Sequence, residues 1–416
     1  MGARLARHEP EARTVAAVEI LRTERVAHSG CWRGRLKRSL YLTGFENKRI
    51  SKARRAYRTR VSMARDSISN EMKHVGIIGG GGISDTHARA ATEIPGVEVS
   101  AFYGENHDKV EKLSQLYGGA AYRYFQSFLE HRPLDLVIIG SPSALHAEQG
   151  IAAARRGLHV LTEKPIDVTT AQADALIKEC ERAQVKLGVC FQDRVAPEIV
   201  RLKQIIDDGR LGRPILVNGY VKWYRPPEYY RDSRWRGRRA LDGGGAVMNQ
   251  GVHTVDLLLW LMGDVERVFA RTVTALHDIE VEDTVVATLE FRNGAVGTLE
   301  AGTSIYPGYQ RRVELTGAEG TIKMEHDRIV AADLRAADPT LISPAAGDTN
   351  ASASSPIVSD VSGHRRLIED FLRAIETNGR PVCDGRDGRR SVAFIEGVYE
   401  SSLTGLPVTI RRNEAL

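Results

Sequence analysis

From Lys73 onward the chain alternates two kinds of segment, and that alternation limits what it can fold into. KHVGIIG, VEVSAFYG, LDLVIIG, HVLTEKP and KLGVCF are short apolar runs that end in glycine or a polar turn. Between them lie SDTHARAATEI, HDKVEKLSQLYG, ALHAEQGIAAARRG and TTAQADALIKECERAQ, which read as helices. Apolar runs without in-and-out alternation are strands buried on both faces. Repetition of this kind builds βαβ units with right-handed crossovers. Residues 72–191 are therefore predicted to form a Rossmann-type, doubly wound parallel sheet.

The pattern changes after Gln192. A helix (PEIVRLKQIIDDG) and a strand (PILVNGYVKWY) lead into a polar, arginine-rich loop and a glycine-rich segment. Then VERVFARTVTAL, DTVVATLEF, AVGTLEAGTS, RRVELTGA and GTIKMEH follow as strand-like stretches. Asn-Gly in FRNGAVG, between apolar stretches, signals a hairpin. Residues 192–416 are predicted to form an α/β domain: an antiparallel sheet with helices on one face. Residues 333–360, rich in Ala, Ser, Asp and Pro, read as a surface loop. HRRLIEDFLRAIETNG and RRSVAFIEGVYESSLTG read as two closing helices.

The net charge of +5 is misleading. Residues 1–70 carry 17 Lys and Arg against 6 Asp and Glu, so they hold +11 and residues 71–416 hold −6. Nucleic acid is thus not an expected partner of the main body. Residues 1–71 have weak periodicity and lack the apolar core of a secretory signal. They are expected to be a disordered or artefactual extension, with Met63 or Met72 as the true start; a transit peptide or basic arm is the alternative. No run of about 18 apolar residues occurs, so no membrane partner is expected. Cys31, Cys180, Cys190 and Cys383 form no C-x-x-C pair. That argues against a disulfide framework or zinc site and fits a reducing cytoplasm.

GIIGGGGIS follows a strand and opens a helix. Gly79, Gly81 and Ser84 fit the spacing of a dinucleotide-binding turn, with Gly82 and Ile83 inside it. The first glycine permits the tight turn; the second lets a pyrophosphate approach the backbone, where the helix N-terminus stabilises its charge. The second strand ends in YGEN, so Glu105 is the acid available for a ribose 2′-hydroxyl, one position late. Among NAD and NADP this favours NAD.

GGGAVMNQGVHTVD places Asn249, His253 and Asp256 on one face of a helix, at spacings of four and three. LLLWLM follows, so that helix is buried, and a polar stripe on a buried helix must have partners or a task. His253 reads as a proton-transferring residue, as a satisfied core histidine, or as part of a metal site. No cysteine or histidine cluster completes a metal shell, so no metal is expected. KWYRPPEYYRDSRWRGRRALD brings Trp223, Tyr224, Tyr230, Trp235 and Arg236 just upstream. Aromatic faces suit sugar rings, and arginines suit phosphate or carboxylate. An exposed loop packing on a neighbouring subunit suits the same composition.

GSPSALHAEQG, LTEKPI, GGGAVMNQGVHTVD and the terminal YESSLTGLPVTI together resemble the Gfo/Idh/MocA oxidoreductase family, over about residues 73–412. The resemblance implies a Rossmann domain followed by an α/β domain with a large, mostly antiparallel sheet. It implies NAD(P)-dependent oxidation or reduction of a secondary alcohol of a sugar, cyclitol or sugar derivative, in dimers or tetramers. Carried over by position, Ser141, Pro142, Ser143 and His146 lie by the nicotinamide half of the cofactor. Glu163, Lys164 and Pro165 match the family signature, with Lys164 beside the ribose and the substrate hydroxyl. Gln192 and Arg194 lie near the cleft. Many members carry aspartate at the position of Asn249; asparagine cannot ionise, which leaves His253 as the base and Asn249 to orient substrate. Asp256 orients His253 or the helix. His253, at an ordinary histidine pKa, implies a pH-rate limb near neutrality. An NAD-dependent glycoside hydrolase or a non-catalytic cofactor-binding regulator would suit the same fold.

Overall fold

The computed structural model describes residues 72–336, 338, 341–342 and 360–411. The basic segment and most of the 333–360 stretch lie outside the described residues, as does Cys31. The first half runs β1 (Lys73–Ile78), α1 (Gly82–Thr92), β2 (Val97–Tyr103), α2 (His107–Tyr117), β3 (Ala120–Tyr122), α3 (Phe125–Leu129), β4 (Leu136–Ile139), α4 (His146–Ala154), β5 (His159–Thr162), α5 (Thr170–Arg182) and β6 (Leu187–Val189). All its strand pairs are parallel, in the order β3-β2-β1-β4-β5-β6. That is the doubly wound order, in which ligands sit at the carboxyl ends of the strands beside the switch between β1 and β4. Every residue of β4 is buried, as a strand covered by helices on both faces requires. Two elements escaped the sequence reading: β3 and α3 are too short to show a period.

The second half runs α6 (Pro197–Asp207), β7 (Pro214–Lys222), α7 (Pro227–Arg231), α8 (Arg239–Asp242), a wide π-type turn (Ala246–Gly251), α9 (Val252–Met262) and β8 (Val265–Val273). It continues through β9 (Thr284–Phe291), β10 (Val296–Gly302), β11 (Arg312–Gly317), β12 (Gly320–Glu325), β13 (Arg328–Leu334), α10 (Ser362–Glu376), α11 (Gly385–Thr404) and β14 (Val408–Thr409). The eight strands lie in the order β13-β12-β11-β7-β10-β9-β8-β14. Only β7 and β10 pair in parallel. The predicted hairpin is the β9–β10 turn, where Phe291 and Ala295 close the loop and Gly294 takes φ +85°. In β9, Val285, Ala287, Leu289 and Phe291 are buried while Val286, Thr288 and Glu290 are exposed. That two-residue period gives the sheet one core face and one open face. β13 begins before residue 333 and runs into the stretch expected to be loop.

The predicted helix after the three glycines is not one regular helix. The wide turn at Ala246–Gly251 precedes α9 and rotates Asn249 relative to the residues that follow. The glycines themselves face protein. Gly243 has φ +77° and packs on Val168. A Cβ on Gly244 would overlap the Tyr399 hydroxyl, and one on Gly245 the Glu282 carbonyl oxygen. The buried Glu282 carboxylate then accepts from the Gly245 and Val247 N–H groups, each at 3.0 Å, and from the Tyr399 hydroxyl at 3.0 Å.

Gly244→Ala and Gly245→Ala are expected to destabilise the protein by about 1–3 kcal/mol, since the Tyr399 side chain at the first and the Glu282 backbone at the second must move to admit the methyl group. Denaturant unfolding of the purified variants measures this; an unchanged midpoint would contradict the close approach.

Candidate active site

Three segments meet where β5 ends. The first is the turn that carries Glu163, Lys164 and Pro165. The second is the wide turn before α9. The third is the short helical turn Gln192–Val195. Lys164 Nζ donates to the Asn249 carbonyl at 2.9 Å, linking the first segment to the second. Burial lowers the Lys164 pKa, with Glu163 and Asp242 opposing the shift and Arg236 and Arg225 adding to it. Asn249 in turn donates from Nδ2 to Asp242 Oδ1 at 2.7 Å. Asp242 also accepts from the Gly237 N–H at 2.9 Å; burial raises its pKa to about 6 against those bonds.

His253 lies one turn beyond Asn249, edge-on to Phe191. Its Nδ1 is 3.8 Å from Asp193 Oδ2 and makes no hydrogen bond. Burial pulls the His253 pKa down to about 4; Asp193 opposes, while Lys164 and Arg311 add to the fall. The imidazole is thus neutral at neutral pH, and its titration lies well below the neutral limb expected from sequence. Asp193 is buried, which alone would raise its pKa, but Arg311 and His253 bring it to about 2. Arg311 also pairs with Asp327 at 2.7 Å.

The upstream loop supplies cations laid flat on rings. Arg236 sits over Tyr229 at 4.4 Å and Trp235 at 5.1 Å. Arg225, buried, sits over Trp223 at 5.0 Å and donates to Gln250 Oε1 at 3.0 Å. Gln250 Nε2 donates to the Tyr229 hydroxyl and to Asn249 Oδ1, so the loop and the wide turn share one network. Tyr230 donates or accepts with Thr303 and is buried away from it. The Tyr224 ring packs edge-on against Tyr306, and only its carbonyl joins the network, accepting from Arg225 Nη1 at 3.1 Å.

Several residues assigned to cofactor or substrate have other occupations. Arg194 is buried and holds Asp256 through Nε at 2.8 Å and Nη2 at 2.6 Å, with Nη1 on the Val382 carbonyl and near Asp387. Two opposite charges one helix turn below His253 satisfy each other, so neither Arg194 nor Asp256 reaches the cleft. His146 is buried between two carbonyls, Pro165 O at 2.8 Å and Ser141 O at 3.0 Å. It ties the β4 loop to the β5 loop instead of facing a ligand. The Glu163 carboxylate turns to His87 Nε2 at 2.8 Å and to the Lys164 N–H. Ser143 is buried at the start of a short helical turn, Ser141 donates to Gln149, and Gln192 lies beside Gly363.

The glycine turn fits a dinucleotide. Gly79 takes φ +128° against Ser84 and Gly140, whereas a Cβ at Gly81 or Gly82 would meet nothing within 4 Å. Gly81 caps α1 without a side-chain bond, and the Ser84 hydroxyl is buried and unpartnered. Gly104 packs on Gly79 and Gly80, which sets the exposed Glu105 at the rim of this turn. Open space at an uncapped helix N-terminus is a diphosphate cradle.

Comparison with known proteins agrees. Residues 73–191 match the oxidoreductase family with an NAD-binding Rossmann fold, and residues 199–323 match the GFO/IDH/MocA C-terminal domain. The WlbA dehydrogenase of Bordetella pertussis, solved with NADH and UDP-GlcNAcA, is 30% identical, with TM-score 0.73 over 82% of this chain and all of its own. The chain belongs to the GFO/IDH/MocA oxidoreductase family. D-xylose 1-dehydrogenase (NADP(+)) 2 of Haloferax volcanii is 28% identical, over 80% of this chain and 99% of its own. Myo-inositol 2-dehydrogenase of Thermotoga maritima is 29% identical, over 61% and 75%.

Within this family fold, Asp242, Asp193, Tyr229, Arg225 and Gln250 join the site without having been singled out in the sequence. Asp242 precedes the three glycines directly, and a carboxylate before a forced turn was the available signal. Asp193 carried none. No helix of the described residues is long and apolar enough to cross a membrane.

Proposed function

We propose that this oxidoreductase oxidises, or forms by reduction, a secondary alcohol on an anionic sugar derivative, with the negative group held by Arg236 and Arg225. The observation that carries this reading is the charge around Lys164. Arg225 and Arg236 both act on its ammonium, and Arg236, whose charge Asp242 feels, makes no ion pair within 4.0 Å among the described residues. Its Nε is buried without a hydrogen bond while its face is fixed on Tyr229 and Trp235. A guanidinium held flat in this way presents its donor edge for a carboxylate or phosphate. The aromatic faces of Trp223 and Trp235 suit a pyranose ring, and the WlbA relative binds a sugar carboxylate on a nucleotide.

Lys164 holds the reacting oxygen and offsets its negative charge. His253, neutral above about pH 4, takes the hydroxyl proton, and Asp193 at 3.8 Å favours the imidazolium that results. Asn249, fixed by Asp242, orients a neighbouring hydroxyl. The nicotinamide, when bound, exchanges hydride with the substrate carbon. Glu105 at the rim of the glycine turn supports NAD over NADP.

A panel of sugar acids and UDP-linked uronates, set beside their neutral sugars with NAD and NADP in parallel, tests the substrate class. Acids are expected to exceed matched neutral sugars in kcat/KM, and Arg236→Gln to remove about 10- to 100-fold of that advantage. Preference for neutral polyols, undiminished in the variant, sinks the assignment.

For the base, kcat/KM is expected to show a limb near pH 4, where His253 takes up a proton, below a separate limb near pH 6 from Asp242 that Asp242→Asn removes. His253→Ala and Lys164→Ala should each lose about 100-fold or more in kcat. An acid limb near pH 6.5 that persists in Asp242→Asn would contradict the buried, neutral imidazole.

The outward face of the second sheet exposes Phe269, Val273, Val286 and Val296. We assign this face to self-association. Light scattering on the purified protein should read a dimer or tetramer, and Phe269→Glu with Val286→Glu a smaller species; a wild-type monomer overturns it.

A further inference from the structure

One residue from Lys164, and outside the proposed reaction, a second set of chemistry-bearing side chains converges. His87 comes from α1, Glu163 from the end of β5, and His364 from the first turn of α10. All three are buried, at 0%, 7% and 3% exposure. One ligand atom from each lies within 4.8 Å of the other two. Cys190, which follows β6 and is fully buried, puts its Sγ 4.0 Å from His87 Nε2.

We propose that His87, Glu163 and His364, with Cys190 as fourth donor, form a binding site for a first-row transition-metal dication, of which zinc is the best match. The donor set argues for this class. Two imidazoles, a carboxylate and a thiol suit zinc or cobalt, whereas magnesium and calcium select oxygen shells. The geometry is close to what such an ion needs. Zinc at about 2.0–2.1 Å from nitrogen and oxygen sets its ligand atoms about 3.3 Å apart. The ligand atoms must therefore draw together by up to about 1.5 Å when the ion binds.

The second observation is what the cluster leaves unsatisfied. The His87–Glu163 bond at 2.8 Å accounts for two members. It does not account for His364, whose ring stands edge-on to His87 with centroids 5.2 Å apart. Nδ1 of His364 is buried without a hydrogen bond, while His87 turns Nε2 to Glu163 and Cys190. Buried polar nitrogens ordinarily have partners, and an ion supplies one. Protonation agrees: burial, with help from His87, holds His364 neutral down to about pH 4. The Glu163 carboxyl is ionised, its pKa brought to about 2 against burial by His87. Cys190 must lose a proton on binding, since burial raises its thiol pKa.

Such an ion fastens α10, which follows the 343–359 stretch, to the carboxyl edge of the Rossmann sheet. Sequence reading missed the site because its members are far apart in the chain and no spacing announces them.

The test uses the full chain, stripped with chelator, dialysed against zinc or cobalt and desalted. One metal per chain is expected by elemental analysis, and the cobalt form should show visible d–d bands with a thiolate charge-transfer band. His364→Leu should lose the metal while keeping its circular dichroism spectrum. Cys190→Ala should keep cobalt but lose the charge-transfer band, and it serves as the second readout if His364→Leu fails to fold. Metal far below one per chain in the wild type overturns the proposal. So does equal metal in wild type and His364→Leu, or a cobalt spectrum unchanged by Cys190→Ala, since each places the ion elsewhere.

Discussion

The 2.9 Å bond from Lys164 to the Asn249 carbonyl is the constraint on which the rest of the site depends. It joins the carboxyl end of a strand in one sheet to a turn on the helix that covers the other. A lysine can be buried there only because one carbonyl and two carboxylates, Glu163 and Asp242, share its charge. The bond also sets the distance between the two halves of the cleft. Once the ammonium is seated on residue 249, the imidazole one turn later is held near it. The wide turn at Ala246–Gly251 falls at the same place. A helix that widens by one residue brings Asn249 towards Asp242 and leaves the α-helical Asp256 to Arg194.

Glycines do two opposite jobs on the two sides of this bond. Around Gly81 and Gly82 the missing Cβ leaves open space, and the α1 amides face it uncapped. At Gly244 and Gly245 the missing Cβ is filled at once by Tyr399 and the Glu282 backbone. The first turn is built to receive a ligand and the second to be held rigid. Glu282 completes the second turn by taking the N–H groups that a helix start leaves unpaired. Rigidity at residues 243–247 is what fixes Asn249 and, through it, Lys164.

The parallel sheet, the hairpin and the glycine cradle were legible because they are local: each is a period, a dipeptide or a short spacing. Lys164, His253 and Asn249 were legible through the resemblance of short motifs. What lay hidden is non-local. Arg194 and Asp256 each suit a cleft when seen alone, yet 62 positions apart they neutralise each other in the core. His146 suits a ligand contact until two carbonyls are found against its nitrogens. Glu163 has its partner 76 positions upstream, in a helix whose sequence marks only its glycines. The even polar stripe of GGGAVMNQGVHTVD was the most misleading signal. Spacing alone assumes a regular helix, and a π-type turn breaks that assumption at the residue where it matters.

The basicity of His253 shows how site and substrate depend on each other. Burial wins over Asp193 at 3.8 Å because Arg311 has already claimed that carboxylate, so the free imidazole is available but weakly basic. A weak base takes an alcohol proton poorly unless something favours the imidazolium. Closure of the cleft over a neutral sugar removes water and depresses the imidazole further. A substrate that brings its own negative charge acts the other way. Its carboxylate, held at Arg236, opposes the cationic field of Lys164 and Arg311 that now weighs against protonation. The same charge keeps the Lys164 ammonium protonated in spite of its burial. On the proposed substrate, therefore, recognition and proton transfer are one electrostatic event: the group that identifies the ligand also makes His253 basic enough to act.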